Sequence, residues 1–215
     1  MKKILITACI AVSAVQVFAQ SQFGIFAGPQ VTTSKYVIEG DKQKNSSKYG
    51  FMAGAGWKIP FENKLYFSPA AFYSLKGYKV DLSKPAFPPD KDAINNNTTL
   101  HTLELAFLLQ YDFTSKPDHF FVKLGPSLDF QLVGKEKFTL NNGSVVNRDM
   151  VFSFGDYGHY SANALVHFGY ETKKGLVIAA QYTYGLASID NADGGPGIFH
   201  RAYGLTIGKY IAKKK

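Results

Sequence analysis

The stretch FSFGDYGHY carries Ser153, Asp156 and His159 within seven residues, and His200 stands at the head of the last apolar segment. A nucleophile, an orienting acid and a base are what an acyl-transferring or proteolytic site needs brought together. No nucleophile elbow or other catalytic motif accompanies them, and all three are ordinary loop residues. The expectation is no enzyme and no catalytic residue. His101, His159, His167 and His200 are candidate metal ligands by type, but no pair has the close spacing of a zinc site. Asp190 and Asp193, beside the glycines of NADGGPG, resemble a calcium loop without its terminal bidentate glutamate, so they read as a polar turn. Neither a metal nor any other cofactor is expected.

A different chemistry lies in charges set inside apolar runs. In TLHTLELAFLLQYDF, residues 98–112, Glu104 is the one carboxylate before Asp112. Every second residue separates two faces: Leu103, Leu105, Phe107, Leu109 and Tyr111 on one, Thr102, Glu104, Ala106, Leu108 and Gln110 on the other. Glu104, Gln110, Lys123, Asp129, Gln131 and Gln181 share the small-plus-polar face of their segments. They suit either a channel or a polar plug whose charges must find partners. Glu104 and Asp129 come from neighbouring strands and can share one basic partner, Lys123 or Lys76. Choosing between them needs the strand register.

The elements that position these residues are strands. No segment has a 3.6-residue period, whereas eight have a period of two, at roughly 22–33, 48–59, 64–79, 98–112, 119–132, 157–171, 175–187 and 199–211. Connections alternate between long (34–47, 80–97, 133–156, 188–198) and short (60–63, 114–118, 172–174). That rhythm fits an antiparallel meander with short turns at one end and long loops at the other. An even strand number puts both termini at the short-turn end. Glycines inside the strands suit a tightly curved sheet.

The face rule then decides the class. In the segment 48–59, Tyr49, Phe51, Ala53, Ala55, Trp57 and Ile59 oppose Lys48, Gly50, Met52, Gly54, Gly56 and Lys58. A soluble ligand-binding barrel would expose many charges per strand, and these strands carry too few. Small and polar residues suit the inside of a narrow barrel. Apolar faces ending in aromatics suit lipid, with Tyr49, Trp57, Tyr111, Phe120, Tyr182, Tyr184 and Tyr210 as interfacial girdles. The fold expected is all-β, an eight-stranded antiparallel up-and-down transmembrane β-barrel over residues 20–215.

Residues 1–19 read as a secretory signal peptide: two lysines, an apolar run and small residues before a cut between Ala19 and Gln20. The single cysteine, Cys9, would leave with it, so no disulfide is expected. The formal net charge of +8 falls to about +6 without Lys2 and Lys3. Most lysines are scattered through loops and turns, which suits solvated loops above an anionic lipid surface rather than nucleic acid.

Several blocks, in order, resemble one family: FGIFAGPQVTTSK, SKYGFMAGAGWKIPFENKLYFSPAAFYSLKGYK, LELAFLLQYDF followed by FFVKLGPSLDFQL, LVIAAQYTYGLASI and AYGLTIGKYI. They look like the OmpA/OmpX-like "porin family" outer-membrane barrels of Gram-negative bacteria. The resemblance implies a location in the bacterial outer membrane, a monomer, lipid as surroundings and the barrel-assembly machinery as a partner in biogenesis. Such chains usually end on an aromatic residue, whereas here Tyr210 is followed by Ile-Ala-Lys-Lys-Lys. The leading functional expectation is a non-enzymatic anchor whose long outer loops serve surface interaction or envelope integrity. The alternatives are a narrow passive channel, a barrel enzyme at the outer rim and a soluble periplasmic lipid carrier. No outer ligand is legible.

Overall fold

The computed structural model describes residues 21–211. The signal segment with its Ala19–Gln20 cut, Cys9 and the terminal lysines lie outside the described residues. Ten strands follow one another: β1 (Gln22–Ile38), β2 (Asp41–Lys42), β3 (Lys44–Glu62), β4 (Leu65–Asp81), β5 (Asn95–Asp112), β6 (His119–Thr139), β7 (Val145–Asp149), β8 (Tyr160–Glu171), β9 (Leu176–Gly185) and β10 (Gly197–Ile211). Eight of them form a ring in the order β1-β3-β4-β5-β6-β8-β9-β10, and β10 closes antiparallel on β1 from Phe23–Ile211 to Val37–Gly197. The short strands β2 and β7 add to the tips of β1 and β6. Closure leaves the ring without a free edge, the condition for a sheet to sit in hydrocarbon.

The period of two sorts the residues as the ring requires. Ile25, Phe51, Leu103, Phe107, Leu109, Leu124, Leu128, Ile178, Leu205 and Ile207 point outward and are exposed. Met52, Phe72, Ala106, Leu108 and Leu165 point inward and pack together. The inner wall has no room for bulk at several places. A Cβ on Gly125 would lie 2.2 Å from the Phe107 carbonyl oxygen, so only glycine lets β5 and β6 approach there.

At the long-loop end β1, β3, β4, β5, β6 and β10 outrun the expected strands, while β8 starts at Tyr160 instead of 157 and β9 ends at Gly185 instead of 187. A strand needs about 9–11 residues to cross a bilayer, and β3 has 19 and β6 has 21. Most of the segment 34–47, expected as loop, is ladder. The turn itself is Glu39-Gly40, both at positive φ (48° and 86°), the geometry of a tight hairpin turn that matches strand twist. Likewise 133–156 contains the rest of β6 and all of β7. These stretches are polar on one or both faces, so they lack the apolar alternation that marks a strand. Their inward residues still alternate: Asn96, Thr98, Leu100 and Thr102 on β5 are all buried.

Two side chains change face. Tyr210 shares the inward parity of Thr206 and Gly208, and its hydroxyl meets Lys123 in the lumen, so it is not a girdle residue. Lys48 does not point inward. The register shift between Ser47 and Met52 turns it outward, and its ammonium donates to Asn97 Oδ1 (2.7 Å) and Thr99 Oγ1 (2.6 Å). Tyr49, Trp57, Tyr111, Phe120, Tyr182 and Tyr184 lie on the outward face, and rings gather at both ends. Phe23–Trp57 (5.2 Å) and Phe120–Tyr170 (4.9 Å) stand near the short turns, Phe51–Tyr73 (5.5 Å) and Tyr182–Tyr203 (4.8 Å) near the long loops.

Replacing Gly125 with valine should abolish the compact species that migrates faster in unheated than in boiled SDS gels. Leu124→Val, one residue away on the outward face, should keep it. Equal migration of both variants would show that the inner wall tolerates a side chain there.

Candidate functional site

The charged residues of the lumen stand in two layers. Near the short turns, Lys58 on β3 reaches across the ring to Glu171 on β8, four strands away, and also to Asp112 on β5. Both contacts are 2.7 Å. His119 Nε2 lies 2.9 Å from Asp112 and 3.4 Å from Glu171, and Gln110 donates to Asp112. Asp112, His119 and Glu171 together have the donor set of a metal site. The Lys58 ammonium already lies between the two carboxylates, in the place an ion would take, so the cluster acts as a cross-lumen ion pair.

In the second layer Lys76 on β4 donates to Glu104 Oε2 on β5 (2.8 Å) and to both oxygens of Asp129 on β6 (2.7 and 2.8 Å). The register aligns Phe72 with Glu104 and Glu104 with Asp129, which lets one ammonium serve both acids. Ser127 donates to Glu104, and Asn163 donates to Asp129 (2.9 Å). All three charged groups are buried. Lys76, not Lys123, is the shared partner. Gln30 closes the neighbouring wall by donating to Ser74 Oγ (2.8 Å) and the Leu75 carbonyl (2.9 Å).

Beyond this layer the mouth is packed shut. Tyr36, Ile38, Tyr78, Val80, Leu100, Met150, Tyr157, Ile189 and Ile198 form one apolar cluster at the long-loop end. Its polar pin is Glu136, a buried carboxylate that accepts from Arg148 Nε (2.8 Å), Tyr157 OH (2.7 Å) and Asn96 Nδ2 (3.0 Å). Arg148 also donates to the Pro89 carbonyl (2.8 Å) and Tyr36 OH to that of Pro88 (3.1 Å), which ties the 82–94 loop across the opening. The Glu136 carboxylate beside it keeps the Arg148 guanidinium protonated even more firmly than usual, and burial pushes the Tyr157 phenol well up.

The residues that suggested catalysis do not assemble. Among the described residues no hydrogen bond joins the side chains of Ser153, Asp156 and His159. Asp156 is buried, while His159 is exposed with its ring 5.9 Å from Phe152. The four histidines also scatter. His101 pairs with the Tyr73 hydroxyl on the outward face, while His167 and His200 point into the lumen on different strands. Asp190 accepts from the Ala192 amide, a polar turn. Of the lumen residues read from sequence, Glu104, Gln110, Asp129, Gln131 and Gln181 are buried and Lys123 lines an internal cavity. Lys58 was read on the inward face but without its partners, and Asp112, His119 and Glu171 were missed as lumen residues. Their signal was present: each is an inward-facing residue beside a short turn, the last lumen position of its strand.

Two predictions follow from these charges. Lys76→Met should cost about 3–5 kcal/mol, because it strands two buried carboxylates. Adding Glu104→Gln and Asp129→Asn should recover most of it, read as urea unfolding of the barrel in lipid. No recovery would mean that Lys76 acts by packing. In the outer 186–196 loop, burial pushes the half-buried Asp190 carboxyl up to about 6, and the neighbouring Asp156 adds to it. A folded value raised above the unfolded one stabilises fully below pH ~3.8 and is lost as pH rises through about 6. The wild type should therefore lose a little stability between pH 5 and 7 relative to Asp190→Asn. Parallel curves for the two proteins would refute this.

A family match agrees with this architecture. A family model described as "Outer membrane protein beta-barrel domain" matches residues 18–191. Among solved structures the chain is similar to Ail, the attachment invasion locus protein of Yersinia pestis, at 14% identity. That match covers 89% of this chain and 99% of the other, with a TM-score of 0.46. It is similar to OprG of Pseudomonas aeruginosa at 14% identity, over 90% and 97% of the chains, with a TM-score of 0.48. Neisserial surface protein A gives 13% identity, 87% and 97% coverage and a TM-score of 0.43. Comparison with curated proteins returns no match. The lipid-facing ring and a family match over most of its length place this chain in the bacterial outer membrane, which removes the soluble-carrier alternative. It belongs to the outer membrane protein β-barrel domain family.

Proposed function

We propose that the protein is a closed, non-enzymatic anchor that presents a rigid β-crown for contact at the cell surface. The observation that carries this reading is the packed mouth. The crown's apolar cluster, pinned by Glu136, fills the space through which a solute would have to pass. Short turns face the periplasm and longer connections face outward in barrels of this kind. In that orientation β1, β3, β4, β5 and β6 rise as a ladder above the bilayer instead of ending in loose loops. A preordered surface loses less conformational entropy on binding than a mobile loop does. Phe154 (92% exposed), Val145, Val151, Phe87 and Ile94 stand outward among these outer connections and offer it apolar contact points. The two buried ion-pair layers in the lumen give the same support against conduction.

The test has two parts. In planar bilayers the wild-type barrel should show no steady conductance. Whole cells carrying it should adhere to an abiotic or host-derived surface more than cells without it. Phe154→Ser with Phe87→Ser should remove that gain while the heat-modifiable barrel persists. Steady, ion-selective conductance would make the passive channel the better reading. Adhesion unchanged by the protein's presence would remove the contact role.

A further inference from the structure

Between the two ion-pair layers lies a partly open cavity of about 60 Å³, lined by Phe26, Phe72, Leu108, Phe121, Lys123 and His167 among others. The facing wall is glycine, with Gly24 and Gly56 paired directly across β1 and β3. One feature of this space is unmatched among the lysines of the lumen described above. Lys58 and Lys76 each hold two carboxylates, but Lys123 has none within 4.0 Å among the described residues. Its ammonium donates only to two neutral oxygens, Ser68 Oγ (3.1 Å) and Tyr210 OH (3.2 Å). The register also sets Lys123, His167 and Gln181 side by side on β6, β8 and β9. His167 Nε2 and Gln181 Oε1, both buried, have no protein hydrogen-bond partner.

A buried ammonium without a counter-charge is costly, and so is a buried polar atom without a partner. An anion would relieve the ammonium and His167 Nε2, while Gln181 Oε1, an acceptor, would be met by a water beside it. We infer that the lumen between the ion-pair layers binds a small inorganic anion of halide size against Lys123 and His167. The ammonium supplies the charge and the His167 Nε2–H a second donor, in the tautomer that carries its proton there. Ser68 and Tyr210 accept from Lys123 and also pair with each other, which fixes the ammonium against the cavity wall. The apolar rings of Phe26, Phe72 and Phe121 keep the site poor in water, which strengthens each contact. A buried water needs at least about 10–15 Å³ of such space, so the site has room for a few waters or one halide with a water. A sugar, a nucleotide or a lipid headgroup does not fit.

Bromide is the probe. Barrel purified in gluconate, an anion too large for the site, is crystallised and soaked in sodium bromide. The expected result is an anomalous bromide peak within hydrogen-bond distance of Lys123 Nζ and His167 Nε2. In solution, bromide should raise the thermal unfolding midpoint of the wild type saturably above the same concentration of gluconate. Lys123→Met should weaken the apparent bromide affinity at least tenfold. Water density with no anomalous signal in the soaked wild type would overturn the proposal, and so would an identical bromide effect in Lys123→Met. If that variant does not fold, the wild-type soak decides alone. The outcome is independent of whether the crown makes surface contacts.

Discussion

Pairing of β10 with β1 is the interaction on which everything else in this molecule depends. Hydrocarbon offers no hydrogen bonds, so an open edge would leave a row of amides and carbonyls unsatisfied at several kcal/mol each. Closing the ring removes the edge, and doing so with eight strands makes the inside narrow. The glycines that stand where strands of the inner wall come close and the crossing of the lumen by Lys58 follow from that width. Lys58 can reach Glu171 on the opposite wall only because the ring is this small.

The lumen shows how a narrow barrel solves its filling problem. Apolar packing of Met52, Phe72, Leu108 and Leu165 fills part of it, and ion pairs fill the rest. Each charged layer is arranged so that one ammonium serves two acids, with Ser127, Asn163 and Gln110 supplying further hydrogen bonds. Buried pairs of this kind add little net stability, but breaking one leaves a bare charge. They also tie strands together: Lys58 joins β3 to β5 and β8, and Lys76 joins β4 to β5 and β6. The crown repeats the arrangement in water, with an apolar core around one buried carboxylate, Glu136, which is held from a strand, a hairpin and a loop.

Alternation alone showed that Glu104 points inward and that Leu103 and Phe107 point outward. It also showed that several charges must meet inside. It could not name Lys76 as their partner, because residues 76, 104 and 129 are joined only by the register of three strands. Tyr210 was misplaced because its aromatic character outweighed its parity; counting from Thr206 and Gly208 puts it in the lumen. The crown was taken for loop because NNN at 95–97 and KNSS at 44–47 lack apolar residues. Their strand character comes from pairing with neighbours already in the ladder, which local composition does not record.

The sequence by itself determined the class of the protein. A two-residue period, an apolar face rich in aromatics and alternating turn lengths are local properties of the chain, and they imply a closed sheet in lipid. Only the tertiary structure decided what the barrel encloses. Which lysine neutralises which acid, which lysine is left without one, and whether the mouth is open or packed depend on contacts between residues far apart in the chain. Those contacts are set by strand register and ring closure, which follow from the shape of the whole sheet and leave no trace in any single segment.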